Sequence, residues 1–220
     1  MNDEIGAVGF DLDNTLYAKN PIIDKKINDY ICLKASNILK KELIEVKASF
    51  QQKYSELHSS HGSLMAIGIE NEDLAISIVQ EALENADISS SLSRDIKLND
   101  MLKKLSQYYK LFMITGSRKD LAIKKLDALG VDKNLFYPAL YAYSIYERYN
   151  GSAFSYVSSI ISIPPNRIMF VGDREKSDIL PAKKLGIKTA IVNSMSQSAD
   201  YQLKTIYDLE EILLRDISAK

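Results

Sequence analysis

The chain has 220 residues, a formal net charge of −1 and a single cysteine. The near-balanced charge excludes a general attraction to nucleic acid polymers or an anionic membrane, and one thiol makes neither an internal disulfide nor a thiolate metal cluster. No apolar run approaches the ~20 residues of a membrane helix, and the acidic start Met1-Asn2-Asp3-Glu4 is unlike a signal peptide, so a cytoplasmic setting is expected.

In chain order, Ile5 to Phe10 is an apolar run that reads as a buried strand. It leads into Asp11-Leu12-Asp13-Asn14-Thr15-Leu16-Tyr17. At a strand end, alternation puts Asp11 and Asp13 on one side and Leu12 on the other. Two such carboxylates repel unless a cation, a shared proton or chemistry offsets them. A plain Asp/Asn turn is the alternative. From Tyr17 to about Ala86 the pattern is helical. One stripe is Ile23, Ile27, Tyr30, Ile31, Ile38 and Leu39, and another is Leu74, Ile78, Val79, Ala82, Leu83 and Ala86, opened by Asn71-Glu72-Asp73. Cys32 falls in the first stretch as a small core residue. Between the stripes lie both histidines, His58 and His61, and Ser89 to Ser93 reads as a linker.

From Ile96 strands and helices alternate. A short helix carries Leu98, Met101, Leu102 and Leu105. The strand Leu111 to Ile114 ends at Thr115-Gly116-Ser117, and a helix runs from Leu121 to Leu129 with Gly130 as its cap. Leu135 to Tyr141 is a strand, and the helix Ala153 to Ile163 stops at Pro164-Pro165. The strand Ile168 to Val171 ends at Gly172-Asp173. A helix over Ile179 to Leu185 follows, then Ile187 to Val192 as the last clear strand and Ile206 to Ile217 as the last helix. Such alternation predicts a parallel sheet covered on both faces. Ligands of open parallel sheets bind outside the carboxyl ends of the strands, where Asp11, Thr115 and Asp173 all fall.

The run Asp11 to Tyr17, Thr115 after an apolar strand, and Gly172-Asp173-Arg174-Glu175-Lys176-Ser177-Asp178 together resemble the haloacid dehalogenase superfamily of phosphohydrolases over nearly the whole chain. The expected fold class is α/β: a Rossmann-like parallel sheet with helices on both faces, plus an all-helical cap inserted after the first strand. The expected domains are a core of residues 1–17 and 94–220 and a cap of residues 18–93. The resemblance implies a phosphatase with Asp11 as nucleophile, forming an aspartyl phosphate, and Asp13 as general acid and base. It implies Mg²⁺ held by Asp11, the Asp13 backbone carbonyl, Asp173 and Asp178, and phosphate bound by Thr115 and the Gly116 amide. The family's usual lysine is absent; Arg148 takes its place in Glu147-Arg148-Tyr149-Asn150-Gly151, with Lys176 as the fallback cation.

The cap pattern around Tyr54 and His61-Gly62-Ser63-Leu64-Met65, with Leu16-Tyr17 and Thr115-Gly116-Ser117-Arg118, is similar to the pyrimidine 5′-nucleotidase branch. That branch usually has Tyr-Gly at His61-Gly62 and Thr-Asn-Gly at Thr115-Gly116-Ser117. The expected partner is a small-molecule phosphate ester, with a nucleoside 5′-monophosphate as a candidate, and Tyr17 and His61 are candidate substrate contacts. The protein is expected as a monomer or small homo-oligomer. The alternatives are a non-catalytic phosphometabolite-binding protein of the same fold, a haloacid dehalogenase, which normally lacks a carboxylate at the position of Asp13, and a phosphomutase.

Overall fold

The computed structural model describes residues 4–18, 20–57, 59–85, 88–141, 148 and 150–214. His58, Ala86, Glu147, Tyr149 and the end of the predicted last helix lie outside them. The chain divides into two compact units, residues 1–19 with 92–220, and residues 20–91.

The larger unit is built on six parallel strands in the order β3-β2-β1-β4-β5-β6. They are β1 (Ala7–Phe10), β2 (Lys110–Ile114), β3 (Phe136–Leu140), β4 (Ile168–Gly172), β5 (Lys188–Val192) and β6 (Tyr201–Leu203). Strand alternation sorts β1 between two cores. Val8 and Phe10 join a cluster with Leu98, Leu102 and Leu105 of one helix, Leu126 and Leu129 of another, and Leu209 and Leu213 of a third. Ala7 joins Phe112, Ile114 and Phe170 against Ala153, Phe154, Val157 and Ile161. β1 is buried on both faces, which explains its unbroken apolar run. Gly9 pairs with Phe112 on one side and Phe170 on the other. A Cβ there would lie 2.1 Å from the Phe112 ring and 2.7 Å from Phe170, so glycine is what lets the two rings fill that face. Pro138 lies on β3, at the edge of the sheet and beside a register shift, where a missing backbone donor is tolerated.

Outside this unit's sheet run α5 (Ile96–Ser106), α6 (Lys119–Leu129), α7 (Ser152–Ile161), α8 (Leu180–Lys184) and α9 (Asp208–Leu214), after α1 to α4 of the other unit. Gly130 closes α6 in the left-handed region. Two expectations need correction. β6 is a further strand after Ile187 to Val192; its three residues are too short to show an alternation. The segment expected as a helix from Ile179 is preceded by a single π-helical turn, Glu175–Ile179, which turns the Asp178 carboxylate back toward the Arg174 amide.

Residues 20–91 form a helical unit: α1 (Pro21–Leu39), α2 (Leu43–Leu57), α3 (Ser60–Ala66) and α4 (Glu72–Asn85). Pro21 opens α1, with the Asn20 side chain accepting from the Ile22 amide at 2.9 Å. Asn71 caps α4 in the same way through the Leu74 amide. The core is Ile31, Cys32, Ala35, Val46, Phe50, Leu64, Ile69, Ala75, Ile78 and Ala82. Ile38, placed in the buried stripe from its spacing, is instead exposed; the face that α1 buries runs along Ile31, Ala35 and Leu39, and Ile38 falls to its side. Among the described residues no helix is long and apolar enough to cross a membrane.

Candidate active site

The sheet ladder continues one residue past its strands and so fixes where the polar residues begin. The Asp11 amide donates to the Val171 carbonyl at 2.9 Å, and the Thr115 amide to that of Leu140 at 2.9 Å. Beyond Asp11 the chain turns at once, with Thr15 and Leu16 amides returning to the Leu12 carbonyl. Asn14 takes a left-handed φ of 61°, which asparagine tolerates better than most side chains. Leu12 and Leu16 enter the core, leaving Asp11, Asp13 and Thr15 for the site.

Asp11, Asp173 and Asp178 come together there, all buried, with one oxygen of each within 4.8 Å of the others. The π-helical turn delivers the third. It lets the Asp178 and Ile179 amides both reach the Arg174 carbonyl, and it folds the Asp178 carboxylate back to accept from the Arg174 amide at 2.9 Å and from the Ser177 hydroxyl at 3.0 Å. Thr15 donates its hydroxyl to Asp11 at 3.2 Å.

Arg148, buried, lies between two of these carboxylates. One of its terminal nitrogens is 3.1 Å from Asp11 and also bonds Asp178. Its Nε has no hydrogen-bond partner among the described residues. Lys176 is exposed. Burial pushes the Asp11 carboxyl up, Arg148 opposes this, and Asp178, Asp173 and Asp13 add to the rise, which reaches about 8. When ionised, the three carboxylates outnumber the guanidinium groups beside them, Arg148 between Asp11 and Asp178 and Arg174 with its Nε 3.9 Å from Asp173, so the group carries a net negative charge that a cation would offset. The all-oxygen donor set is that of a hard cation, so the residues present fit such an ion.

Asp13 is not in this cluster, contrary to the shared strand face expected from the spacing, because the turn after Leu12 swings it aside. Its carboxylate accepts from the Tyr17 hydroxyl at 2.5 Å, the Ser117 hydroxyl at 2.6 Å and the Lys125 ammonium at 2.6 Å. Lys125 also bonds Ser117 at 2.7 Å. Burial alone would raise the Asp13 carboxyl; the Lys125 charge and the three donors more than offset it and hold it below its usual range. Lys125 escaped the sequence reading. The signal was present: it falls at helical spacing among Leu121, Ala122, Leu126 and Leu129, all buried, where a charge is out of place.

Thr115 is fully buried, and its hydroxyl accepts from the Ser117 amide at 3.1 Å. Gly116 is half-buried in the loop before α6. Tyr17 is bound to Asp13, as above. His61 belongs to the helical unit, is exposed, and has its Nδ1 3.1 Å from the Ser59 hydroxyl. Arg118 is exposed and pairs with Asp120 at 2.7 Å.

Residues 5–186 match the family of hydrolases described as haloacid dehalogenase-like hydrolase. The chain belongs to that family. Its fold is shared with a HAD phosphatase from Thermococcus onnurineus, at TM-score 0.67 and 22% identity over 95% of this chain and 98% of that one. A putative β-phosphoglucomutase from Thermotoga maritima aligns at TM-score 0.62 and 16% identity over 96% and 99%. A 2-haloacid dehalogenase from Pseudomonas syringae pv. Tomato aligns at TM-score 0.57 and 20% identity over 96% and 99%. No curated protein matches the sequence. The chain is therefore a hydrolase of this family with an α/β fold, and the likeness to the three solved structures speaks for the fold alone.

Proposed function

We propose that the protein is a Mg²⁺-dependent phosphatase of a small phosphorylated metabolite. The observation that carries this reading is the gathering of Asp11, Asp173 and Asp178 beside Arg148, three buried carboxylates within 4.8 Å of one another whose ionised forms outnumber the guanidinium groups next to them. Mg²⁺ would be held by the carboxylates of Asp11, Asp173 and Asp178 and the Asp13 carbonyl, and when bound it supplies charge neutralisation to an incoming phosphate.

The residues divide the remaining work. One Asp11 carboxylate oxygen attacks phosphorus as the ester P–O bond breaks, giving an aspartyl phosphate, and the leaving oxygen takes a proton from Asp13. Water then attacks the aspartyl phosphate, gives its proton back to Asp13, and releases inorganic phosphate with Asp11 restored. The low-lying Asp13 carboxyl suits the second half. In the first half an arriving phosphate anion beside Asp13 favours its protonated form. Arg148 orients Asp11 and carries positive charge toward the phosphate, and its Nε has no hydrogen-bond partner among the described residues. Thr115 and the Gly116 amide complete the phosphate site. Residues 18–93 serve as the cap, and Tyr17 and His61 remain candidate substrate contacts.

Asp13 disfavours the dehalogenase reading, because hydrolysis of a carbon–halogen bond needs no proton for the leaving halide. The likeness to the pyrimidine 5′-nucleotidase branch makes nucleoside 5′-monophosphates the first substrates to try. The test is release of inorganic phosphate from 4-nitrophenyl phosphate and from a panel of nucleotides and sugar phosphates. Activity that needs Mg²⁺ and is abolished by chelator and by Asp11→Asn is expected; halide release from a 2-haloacid without phosphate release, or no turnover of any ester, overturns the reading.

A further inference from the structure

We propose that Lys125 is a positioning residue for Asp13: from the buried face of α6 it tethers the Asp13 carboxylate, together with Ser117, apart from the Asp11–Asp173–Asp178 cluster. The proposal rests on the phosphatase reading for the use made of Asp13, but the tether itself is a matter of geometry.

Lys125 is 4% exposed at its side chain. It occupies a position where its helical neighbours Leu121, Ala122, Leu126 and Leu129 are buried, and an ammonium taken out of water there is costly unless it is paired and hydrogen-bonded. Here it is both. The ammonium donates to Asp13 Oδ1 at 2.6 Å and to Ser117 Oγ at 2.7 Å, and the Ser117 hydroxyl donates its own proton to Asp13 Oδ2 at 2.6 Å. Lys125, Ser117 and Asp13 thus close a ring in which each donor has a defined acceptor. Tyr17 adds a further donor on Oδ1. Both oxygens of Asp13 are engaged.

The need for such a tether follows from the charges. Asp13 lies two residues from Asp11, and Asp11 belongs to a cluster that already suits a divalent ion. A loose carboxylate at that distance would be drawn in as one more ligand and lost for proton transfer. The Lys125 ammonium, 2.6 Å from Asp13, supplies the competing attraction, and because it projects from a helix rather than a loop it holds the carboxylate in one place.

The test uses Lys125→Met, which keeps the apolar stem and removes the charge. kcat/KM, which reports phosphoryl transfer to Asp11, is measured for 4-nitrophenyl phosphate, whose leaving group needs no proton, and for a simple alkyl phosphate, whose leaving group does. A misplaced acid is expected to cost the alkyl ester roughly 100-fold and the aryl ester less than about threefold. In an Asp13→Asn background Lys125→Met is expected to change the alkyl rate no further. Equal losses on both esters, no loss on either, or an additive loss in the double variant overturns the proposal. Mg²⁺ titration by calorimetry provides a readout without turnover: the variant is expected to bind Mg²⁺ more tightly, with the gain removed by Asp13→Asn, and unchanged or weaker binding overturns the tether. Should the wild type turn over neither ester while Mg²⁺ binding tightens in this way, the phosphatase reading fails and the tether stands.

Discussion

The Asp178 carboxylate packs directly against the backbone of Gly172. A Cβ on Gly172 would lie 2.4 Å from both Asp178 Cβ and Asp178 Oδ2, closer than non-bonded atoms approach. The last residue of β4 has no side chain because the π-helical turn folds Asp178 into that space. Gly172→Ala is therefore expected to push Asp178 out of the cluster, with a loss of about 100-fold in kcat and weaker Mg²⁺ binding. Overpacking would cost about 1–3 kcal/mol of stability. Denaturant unfolding beside a Mg²⁺ titration checks both effects, and a variant that binds Mg²⁺ as the wild type does would show that Asp178 is not held by this contact.

Arg148 faces Asp11 and Asp178 from a buried position, whereas Lys176 is exposed. Removing the guanidinium takes the paired cation from buried Asp11 and Asp178, a change that typically costs about 3–5 kcal/mol. Arg148→Ala is expected to reduce kcat/KM by 100-fold or more, on the order of what one strong transition-state donor supplies, and Lys176→Ala to change it less than about threefold. Arg148→Lys keeps charge but loses the planar fork, so an intermediate rate is expected. Steady-state kinetics on one substrate rank the three, and similar small losses for Arg148→Ala and Lys176→Ala would exclude both as the required cation.

Burial raises the Asp11 carboxyl to about 8 against the pull of Arg148. For a group raised in the folded state, the stability it contributes is complete below its unfolded value of about 3.9 and is lost as pH climbs through the folded value. In chelator-treated protein, Asp11→Asn is expected to melt higher than the wild type at neutral pH, with the gap closing below about pH 4. Adding Mg²⁺ is expected to raise the wild-type melting temperature more than that of Asp11→Asn. Thermal melts across pH, with and without Mg²⁺, read both signs.

Asp200 clips β5 from outside the site. It accepts from the Thr189 amide at 2.8 Å, the Thr189 hydroxyl at 2.9 Å and the Lys183 ammonium at 2.8 Å. Burial pushes its carboxyl up, but Lys183 and the Thr189 donors outweigh that and hold it below the usual range. A lowered carboxyl contributes stability above its unfolded value that is lost as pH falls through the folded one. Asp200→Ala is expected to cost roughly 1–3 kcal/mol at neutral pH by stranding the buried Thr189 amide. The part owed to charge is expected to begin to fade below about pH 4 and to be gone once the pH is under the lowered folded value. Urea melts at neutral and acid pH measure this, and a cost independent of pH would assign it to the hydrogen bonds alone.

The strands β1, β2 and β4 were legible because each holds four consecutive buried residues without a polar side chain, β5 was legible from its buried apolar end Ala190-Ile191-Val192, and α5 from Leu98, Met101, Leu102 and Leu105. β6 was not: its Tyr201-Gln202-Leu203 is a strand only because β5 is there to pair with it. Ile38 has the spacing of a core residue, yet the buried face of α1 follows Ile31, Ala35 and Leu39, and spacing alone does not say which edge of an apolar stripe is covered.

By itself the sequence determined the alternation of strands and helices and the order in which Asp11, Thr115 and Asp173 follow their strands, since periodicity and local turn chemistry act over a few residues. Only the tertiary structure decided that Arg148 and not Lys176 lies between Asp11 and Asp178, and that Asp13 is bound by Lys125 rather than grouped with Asp11. Pairings of charge across more than a hundred residues depend on how sheet and helix bring side chains to within hydrogen-bonding distance, and no local pattern encodes a distance.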